Sequence, residues 1–255
     1  MLFDSHAHLD DKRFADDRRA VIDRAAEAGL VGIINAGACM ESSARSVALA
    51  DKHDIIFAAV GIHPHDARDA KDVDYEQLAA WHSLPKVVAI GEIGLDYYYD
   101  LSPREVQQQV FIRQLDVARQ LQKPVIIHDR DAHGDILAIV KKEAKGLTGV
   151  FHCFSGSLEM AKEIIKLGFY VSFAGPVTFA KDGKLKEVAA NIPLERLLVE
   201  TDCPYLTPQP FRGRRNEPAY VEFTAAEVAR VRGLEPAALA AAATANTKRL
   251  FGISG

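Results

Sequence analysis

Cysteine is scarce in this chain, and long apolar runs are missing. The three cysteines are far apart, odd in number and never spaced as a CxxC pair, which argues against a disulfide scaffold and favours a reducing compartment. No apolar run approaches the ~20 residues of a membrane span, and the N-terminus lacks the basic and apolar segments of a signal peptide. We therefore expect a cytoplasmic protein that does not enter a membrane and has no obligate protein partner.

A strong charge of one sign is absent as well. The 31 lysines and arginines stand against 35 aspartates and glutamates, which leaves a formal net charge of −4. A protein with this balance does not bind nucleic acid through its overall field, so any such contact needs a local basic patch. A glycine-rich phosphate loop and a GxSxG nucleophile elbow are also missing, which disfavours P-loop and serine-hydrolase chemistry.

Short apolar runs alternate with longer amphipathic segments along the chain. The runs are rich in Val, Ile, Leu and Phe without strict polar alternation, which is typical of parallel strands covered on both faces. They predict eight strands: Leu2–Ser5, Val31–Ala36, Ile55–Val60, Val87–Ile90, Pro124–His128, Gly149–His152, Phe169–Phe173 and Leu197–Thr201. At a length of 255 residues, this alternation predicts an α/β fold, a single (β/α)8 TIM barrel in one domain over residues 1–255. A doubly wound sheet is the competing topology.

Two further features predict helices. Ser102 followed by Pro103 is typical of a helix N-cap and a first helical position. The alanine-rich stretch 217–251 predicts two helices, because Gly233 and Pro236 interrupt it.

Two histidines follow the first strand at a spacing that favours metal binding. His6 and His8 are separated by one residue, and side chains at i and i+2 of an extended chain point the same way, so both imidazoles can reach one ion. Further potential ligands stand at the ends of later strands: Glu92, His128, His152 and Asp202. Because the carboxyl ends of barrel strands open on one face, we expect all these side chains to converge there.

The number and type of these side chains predict two divalent ions. Imidazole and carboxylate ligands suit Zn²⁺, Mn²⁺ or Fe²⁺, whereas Mg²⁺ is a poorer match because it prefers oxygen. Six ligands exceed the three or four that a single catalytic zinc uses. Two ions ~3.5–4 Å apart that share a carboxylate account for them better. Glu92 is the bridging candidate because it lies at mid-barrel between the two groups of histidines.

A set of motifs resembles the TatD family of metal-dependent deoxyribonucleases, in the branch that retains the N-terminal HxH. They are DSHAHLD (4–10), GIHPH (61–65), GEIGLDYY (91–98), KPVIIHDRDA (123–132), HCFSG (152–156), GFYVSFAG (168–175) and LLVETDCPYL (197–206). The likeness runs from residue 2 to about residue 251 in consistent order. The family belongs to the amidohydrolase superfamily, whose members share a distorted (β/α)8 barrel.

The resemblance implies a division of the ligands between two ions. One ion would be bound by His6, His8, Glu92 and Asp202, and the other by Glu92, His128 and His152. His63 falls in a matching family position, which implies a group that contacts phosphate or acts as an acid. Glu200 lies two residues before Asp202 and could hold a ligand or a water in place. His65 is expected to be a loop residue, and His82 and His133 are expected to be exposed.

A basic loop after the last strand is the predicted substrate contact. Arg212, Arg214 and Arg215 could hold phosphates there by bidentate hydrogen bonds, although charge runs are often merely solvated. Tyr205 is a possible stacking partner for a base, and residues 97–99 offer another stacking surface unless they are buried packing residues.

The predicted reaction is hydrolysis of DNA phosphodiester bonds from an end, preferably in single strands. A hydroxide bridging the two ions would attack phosphorus, Asp202 would act as the general base, and Glu92 would complete the catalytic set with His63. Two alternatives stay open. The same centre could hydrolyse an ester or amide, as in a D-aminoacyl-tRNA deacylase, or the protein could be a non-catalytic metal-binding quality-control factor.

Overall fold

The computed structural model describes residues 1–181 and 183–254. Eight parallel strands form one sheet in chain order: β1 (Leu2–Ala7), β2 (Leu30–Ala36), β3 (Ile56–Val60), β4 (Val87–Asp96), β5 (Val125–Arg130), β6 (Gly149–Phe151), β7 (Tyr170–Phe173) and β8 (Leu197–Val199). The connecting and C-terminal helices are α1 (Arg18–Glu27), α2 (Met40–Lys52), α3 (Asp72–Trp81), α4 (Arg104–Leu121), α5 (His133–Glu143), α6 (Leu158–Lys166), α7 (Lys184–Asn191), α8 (Val221–Arg232) and α9 (Pro236–Phe251). The predicted (β/α)8 barrel is confirmed, and the single domain over residues 1–255 stays a prediction.

The two edges of the sheet meet where the chain carries its predicted metal ligands. The main-chain N–H of Asp202 donates to the carbonyl of His6 at 2.9 Å, and the N–H of His8 donates to the carbonyl of Cys203 at 2.8 Å. A parallel bridge joins Ala7 to Cys203. The carboxylate of Asp4 adds a bond from the N–H of Thr201 at 2.9 Å. The segments that close the barrel are therefore the segments that bear His6, His8 and Asp202.

Side chains alternate between two apolar layers along the strands. The outer layer packs under the helices. The inner layer takes residues from each strand in turn, and the end of α9 joins it: Phe3, Ile34, Ala59, Val88, Ala89, Ile126, Val150, Tyr170, Leu198, Leu250 and Phe251. Such layers fill a barrel as a packed core, so the carboxyl face of the sheet is left for the polar side chains. Among the described residues, no helix is long and apolar enough to cross a membrane.

The strand boundaries differ from the sequence prediction by one to six residues, and three differences bear on the polar face. β4 runs to Asp96 and all ten of its residues are buried, so Glu92 lies inside a strand and not after one. β8 ends at Val199, which leaves Glu200 in the segment beyond it. The predicted Ser102 cap is wrong because α4 begins at Arg104 after Pro103. The Ser102 hydroxyl donates instead to the carbonyl of His65 at 2.9 Å.

Gly94 provides a test of how tightly β4 and β5 pack beside the polar face. Its φ is +141°, and a Cβ added there would lie 2.0 Å from the carbonyl oxygen of His128. We expect Gly94→Ala to lower the free energy of unfolding by about 1–3 kcal/mol, since it combines a disfavoured φ with a backbone clash. Gly134→Ala is the matched control, because Gly134 lies in α5 with open space around its Cβ position. Denaturant unfolding of both variants checks this, and equal stability of the two would contradict it.

Candidate metal centre

His6 and His8 at the end of β1 face each other with their ring nitrogens. Their Nε2 atoms are 3.1 Å apart. The Nδ1 of His8 lies 2.9 Å from the carbonyl oxygen of Ala36, which can only accept, so Nδ1 carries a proton and the lone pair of the neutral ring is on Nε2. The Nδ1 of His6 is buried and has no hydrogen-bond partner among the described residues. We call these two residues the β1 pair.

Glu92 lies between the β1 pair and a second pair of histidines, His128 and His152. Its Oε2 is 3.4 Å from Nε2 of His6 and 3.5 Å from Nε2 of His8. Its Oε1 is 2.7 Å from Nδ1 of His128 and 2.8 Å from Nε2 of His152. Each carboxylate oxygen of Glu92 therefore faces a different pair of histidines.

His128 at the end of β5 and His152 just beyond β6 form the β5–β6 pair. Their inward nitrogens, Nδ1 of His128 and Nε2 of His152, are 3.2 Å apart. Each outer nitrogen meets a carboxylate: Nε2 of His128 is 3.2 Å from Asp96, and Nδ1 of His152 is 3.3 Å from Glu200. A neutral imidazole that donates its outer N–H to a carboxylate has its lone pair on the inward nitrogen, which is the arrangement metal-binding histidines use.

Asp202 lies at the outer edge of the β1 pair. Its Oδ1 is 3.4 Å from Nε2 of His8 and 3.7 Å from Nε2 of His6. The side chain is 14 % exposed, more than Glu92, so it faces the opening of the barrel. Its φ is +56°, and main-chain bonds to His6 and from Tyr205 hold this conformation.

These donors fit a divalent cation. Three overlapping sets, each with ligand atoms within 4.8 Å of one another, occur among the described residues: His6, His152 and Asp202; His6, His8 and Glu92; and His63, Glu92 and His128. Nitrogen lone pairs opposed at about 3 Å, with carboxylates around them, match the ligand types and spacing of Zn²⁺ or Mn²⁺ sites. All six side chains that the sequence assigned to metal come together here.

His63 differs from the other histidines in the position of its proton. Its Nδ1 accepts the main-chain N–H of His65 at 3.2 Å, so a neutral ring carries its proton on Nε2. That Nε2 lies 3.4 Å from Oε1 of Glu92. Burial lowers the pKa of His63 to about 4, so the ring is neutral at pH 7. His63 therefore offers the centre an N–H donor rather than a lone pair.

Asp96 is a functional residue that the sequence reasoning missed. Its Oδ2 lies 2.8 Å from Nε2 of His65 and 3.2 Å from Nε2 of His128, so His65 is part of the polar network and not merely a loop residue. Burial alone would raise the pKa of Asp96, but the hydrogen bonds from His128 and His65 outweigh it and lower the pKa. A signal existed, because Asp96 and Glu92 are four residues apart and share one face of an extended strand.

Glu200 and Asp4 form a buried layer beneath the centre. Glu200 accepts the N–H of Cys153 at 2.7 Å and the hydroxyl of Ser172 at 2.5 Å, in addition to facing His152. Asp4 accepts the hydroxyl of Thr201 at 2.6 Å, and burial raises its pKa to about 8. Glu200 thus has the contacts of a residue that holds His152 in place.

The predicted substrate residues are spread around the mouth of the barrel. The ring of Tyr205 meets that of His8 edge-on at 6.2 Å and is approached by Arg13 at 4.2 Å. Arg215 instead pairs with Asp17 at 2.6 Å.

The other two loop arginines pack on aromatic rings. Arg212 lies 3.9 Å over the ring of Phe179, and Arg214 lies 6.0 Å from the ring of Phe211. In the part of the chain that the structure describes, no hydrogen bond or ion pair joins Arg212, Arg214 or Arg215 to the centre.

His82 and His133, which the sequence predicted to be exposed, differ in their burial. His82 is buried at 7 % exposure, so the prediction was wrong for it. His133 is 41 % exposed, and its Nδ1 bonds Asp129 at 2.8 Å. Periodicity did not reveal the burial of His82 because it lies at the end of α3, where the chain turns back toward β4.

Comparison with known proteins identifies the family to which this chain belongs. The family model of TatD-related DNases matches residues 3–252. The chain belongs to the TatD-related DNase family. The prediction of a metal-dependent hydrolase of this family is confirmed.

Individual relatives of this TatD-related chain match over its whole length. An uncharacterized metal-dependent hydrolase of Bacillus subtilis is 45 % identical over 255 residues, which is all of both chains. The 3′-5′ ssDNA/RNA exonuclease TatD of Citrobacter koseri is 39 % identical and covers 99 % of this chain and all of its own. The crystal structure of a TatD homologue from Escherichia coli superimposes with a TM-score of 0.93 at 35 % identity, over 99 % of this chain and 98 % of the other.

Metal binding to this TatD-related centre is expected to release protons. Burial disfavours the charged form of His8, but the hydrogen bond to Asp202 and the charges of Glu92 and Asp202 outweigh it and raise its pKa to about 9. At pH 7 the metal-free ring is therefore protonated, and a divalent ion must displace that proton to reach the lone pair.

We expect Zn²⁺ or Mn²⁺ affinity to rise from pH 6 to about 9, with at least about one proton released per protein at pH 7, because the pKa values of His128 and His152 are raised as well. Isothermal titration calorimetry in two buffers of different ionisation enthalpy measures the release. Asp202→Asn should lower the pKa of His8 and reduce the number of protons released. A binding enthalpy that is identical in both buffers would refute the expectation.

Proposed function

We propose that this protein is a divalent-metal-dependent exonuclease that hydrolyses phosphodiester bonds of single-stranded DNA from an end. The observation that carries the proposal is Glu92, whose two carboxylate oxygens are divided between the β1 pair and the β5–β6 pair. That division suits two ions that share one carboxylate, and two-ion centres are common in nucleases. The relatives named 3′-5′ ssDNA/RNA exonucleases support a 3′-to-5′ direction and make RNA a second substrate to test.

The proposed ligands follow the two pairs. One ion would be held by His6, His8, Glu92 and Asp202, and the other by Glu92, His128 and His152. This assignment is supported by the distances of Glu92 to all four rings and of Asp202 to the β1 pair. Zn²⁺, Mn²⁺ and Mg²⁺ are the ions to test. When bound, such ions lower the pKa of water and offset charge on phosphoryl oxygens.

The protein's own residues are proposed to move the protons and hold the phosphate. Asp202 keeps its carboxylate ionised, because the hydrogen bond and the charge of His8 outweigh the effect of burial and lower its pKa. An ionised carboxylate at the mouth can accept a proton from the attacking water and return it to the leaving oxygen. His63 donates its Nε2–H to a phosphoryl oxygen. Attack by a bridging hydroxide, as expected from the sequence, stays a prediction.

Substrate contacts are proposed for the residues around the mouth. Tyr205 lies beside His8 with 47 % of its surface exposed, so a base can stack on it. Arg212 and Arg214 remain proposed phosphate contacts. Arg215 keeps that assignment with less support, since its guanidinium is already paired with Asp17.

The direct test uses end-labelled oligonucleotides and protein stripped of metal. We expect no cleavage by the stripped protein and stepwise shortening from the 3′ end after Mg²⁺, Mn²⁺ or Zn²⁺ is restored. Single strands should be degraded faster than duplexes, and a 3′-terminal phosphorothioate should slow the first step. Full activity of the stripped protein, or of Glu92→Ala, would rule out the proposal.

His63→Ala separates a phosphate donor from a metal ligand. We expect this variant to keep the metal content of the wild-type protein, because its Nδ1 is occupied by His65 and its Nε2 carries the proton. Its kcat should fall about 100-fold or more, the usual contribution of a positioned hydrogen-bonding or proton-transferring side chain. Metal analysis and single-turnover rates measure both properties. His53→Ala is the control, because His53 lies outside the centre. Loss of an ion from His63→Ala would show that His63 is a metal ligand.

A further inference from the structure

Arg130 is the last residue of β5, two positions after His128. It pairs with Asp96 in the ladder between β4 and β5, and its carbonyl accepts the N–H of Tyr97 at 2.9 Å. Side chains at i and i+2 of a strand share a face, so the guanidinium lies on the side of β5 that carries His128. Unlike His128, Arg130 is exposed, and it therefore reaches into the mouth.

Two tyrosines form a platform against this guanidinium. The Cζ of Arg130 lies 4.2 Å from the ring centre of Tyr98 and 4.7 Å from that of Tyr99. The rings meet each other edge-on at 4.9 Å, and the residues are 59 % and 52 % exposed. The two adjacent rings form a contiguous exposed apolar patch, and such patches mark sites that bind ligands or partners.

The platform is fixed by the residue that orients the metal centre. The Oδ1 of Asp96 accepts the N–H groups of Tyr98 at 3.0 Å and Tyr99 at 2.8 Å. Its Oδ2 faces His65 and His128. One carboxylate therefore sets both the ring of His128 and the turn that carries the two tyrosines.

A chain of ring contacts connects the platform with the centre. Tyr99 meets His65 at 5.3 Å, His65 meets His63 at 4.2 Å, and His63 meets His128 at 4.4 Å. Only the ring of His65 therefore separates the platform from His63, which is proposed to donate to the reacting phosphate.

The charge of Arg130 is not neutralised by a carboxylate. Among residues 1–181 and 183–254, no ion pair is formed by this guanidinium. Arg13 and Arg215, which also stack on aromatic rings, are paired with Asp11 and Asp17. Stacking uses the faces of the guanidinium and leaves its N–H edges for bidentate hydrogen bonds to a phosphate.

We propose that Arg130, Tyr98 and Tyr99 form a subsite for the substrate strand, in which Arg130 binds a backbone phosphate next to the one being cleaved and a base stacks on the tyrosines. The proposal rests on the proposed nuclease function and adds a contact on the β4–β5 side of the mouth. That side is separate from the basic loop at 208–218, and it includes the stacking surface that the sequence offered at residues 97–99.

The test compares two substrates of the metal-loaded enzyme: a single-stranded oligonucleotide and bis(4-nitrophenyl) phosphate, a diester that has no second phosphate for Arg130 to bind. Arg130→Ala should raise the KM for the oligonucleotide about tenfold and leave the small diester unchanged, and Tyr98→Ala should act in the same direction. Arg130→Ala should also lower the salt slope of oligonucleotide binding by about one unit, and Arg130→Lys should restore the slope while recovering only part of the KM.

Arg113→Ala is the matched control, because Arg113 lies over the ring of Tyr75 at 5.5 Å on the outer helices. It removes the same charge and the same type of ring contact, and we expect wild-type kinetics. Equal effects of Arg130→Ala and Arg113→Ala on the oligonucleotide would overturn the subsite. Loss of activity on both substrates to the same extent in Arg130→Ala would also overturn the subsite, because it would show that Arg130 has a structural role.

The subsite can fail separately from the proposed function. If the wild-type enzyme hydrolyses the small diester but shortens no oligonucleotide, the nuclease assignment fails. Fluorescence anisotropy of a labelled oligonucleotide then still decides the subsite. Binding that weakens in Arg130→Ala and Tyr98→Ala but not in Arg113→Ala supports it, and binding that is the same in all three variants overturns it.

Discussion

The carboxylate of Glu92 is the constraint on which the rest of the structure depends. It is buried at 3 % exposure in the middle of a fully buried strand, where an uncompensated negative charge is costly. Burial alone would raise its pKa, but the charge of the protonated, metal-free ring of His152 and the hydrogen bonds from His128 and His152 outweigh it and hold the pKa well below the usual value. The histidines around Glu92 are therefore electrostatic partners of the fold as well as parts of the centre.

A second layer of groups determines what these histidines can do. Ala36, Asp96 and Glu200 each accept from the outer nitrogen of one ring, so that the ring, once neutral, has its lone pair on the inward nitrogen. In His63, by contrast, the outer nitrogen Nδ1 accepts the main-chain N–H of His65, so the proton of the neutral ring is on the inward nitrogen Nε2. One side-chain type thus supplies both metal-binding and hydrogen-donating groups within a few ångströms, and the main chain and carboxylates behind the rings decide between them.

Barrel closure brings the two ends of the chain's site together. The bonds that join the first strand to the segment after the last one run through His6, His8 and Asp202. Glu92, His128 and His152 come from neighbouring strands, whereas His6 and His8 meet Asp202 only because the barrel is closed. A site built this way gains rigidity from the barrel, because its side chains stand on paired strands rather than on free loops.

The sequence by itself determined the barrel and the members of the centre, because alternating strands and helices send every strand's carboxyl end to one face. It also determined the kind of chemistry, since imidazoles and carboxylates in this number suit divalent ions. Only the tertiary structure decided where the protons lie and which cations are available. Asp17, which pairs with Arg215, is 198 positions away in the chain, and Arg130 has no such partner among the described residues. Such differences depend on contacts between distant segments at hydrogen-bonding distance, which the pattern of residue types along one chain does not encode.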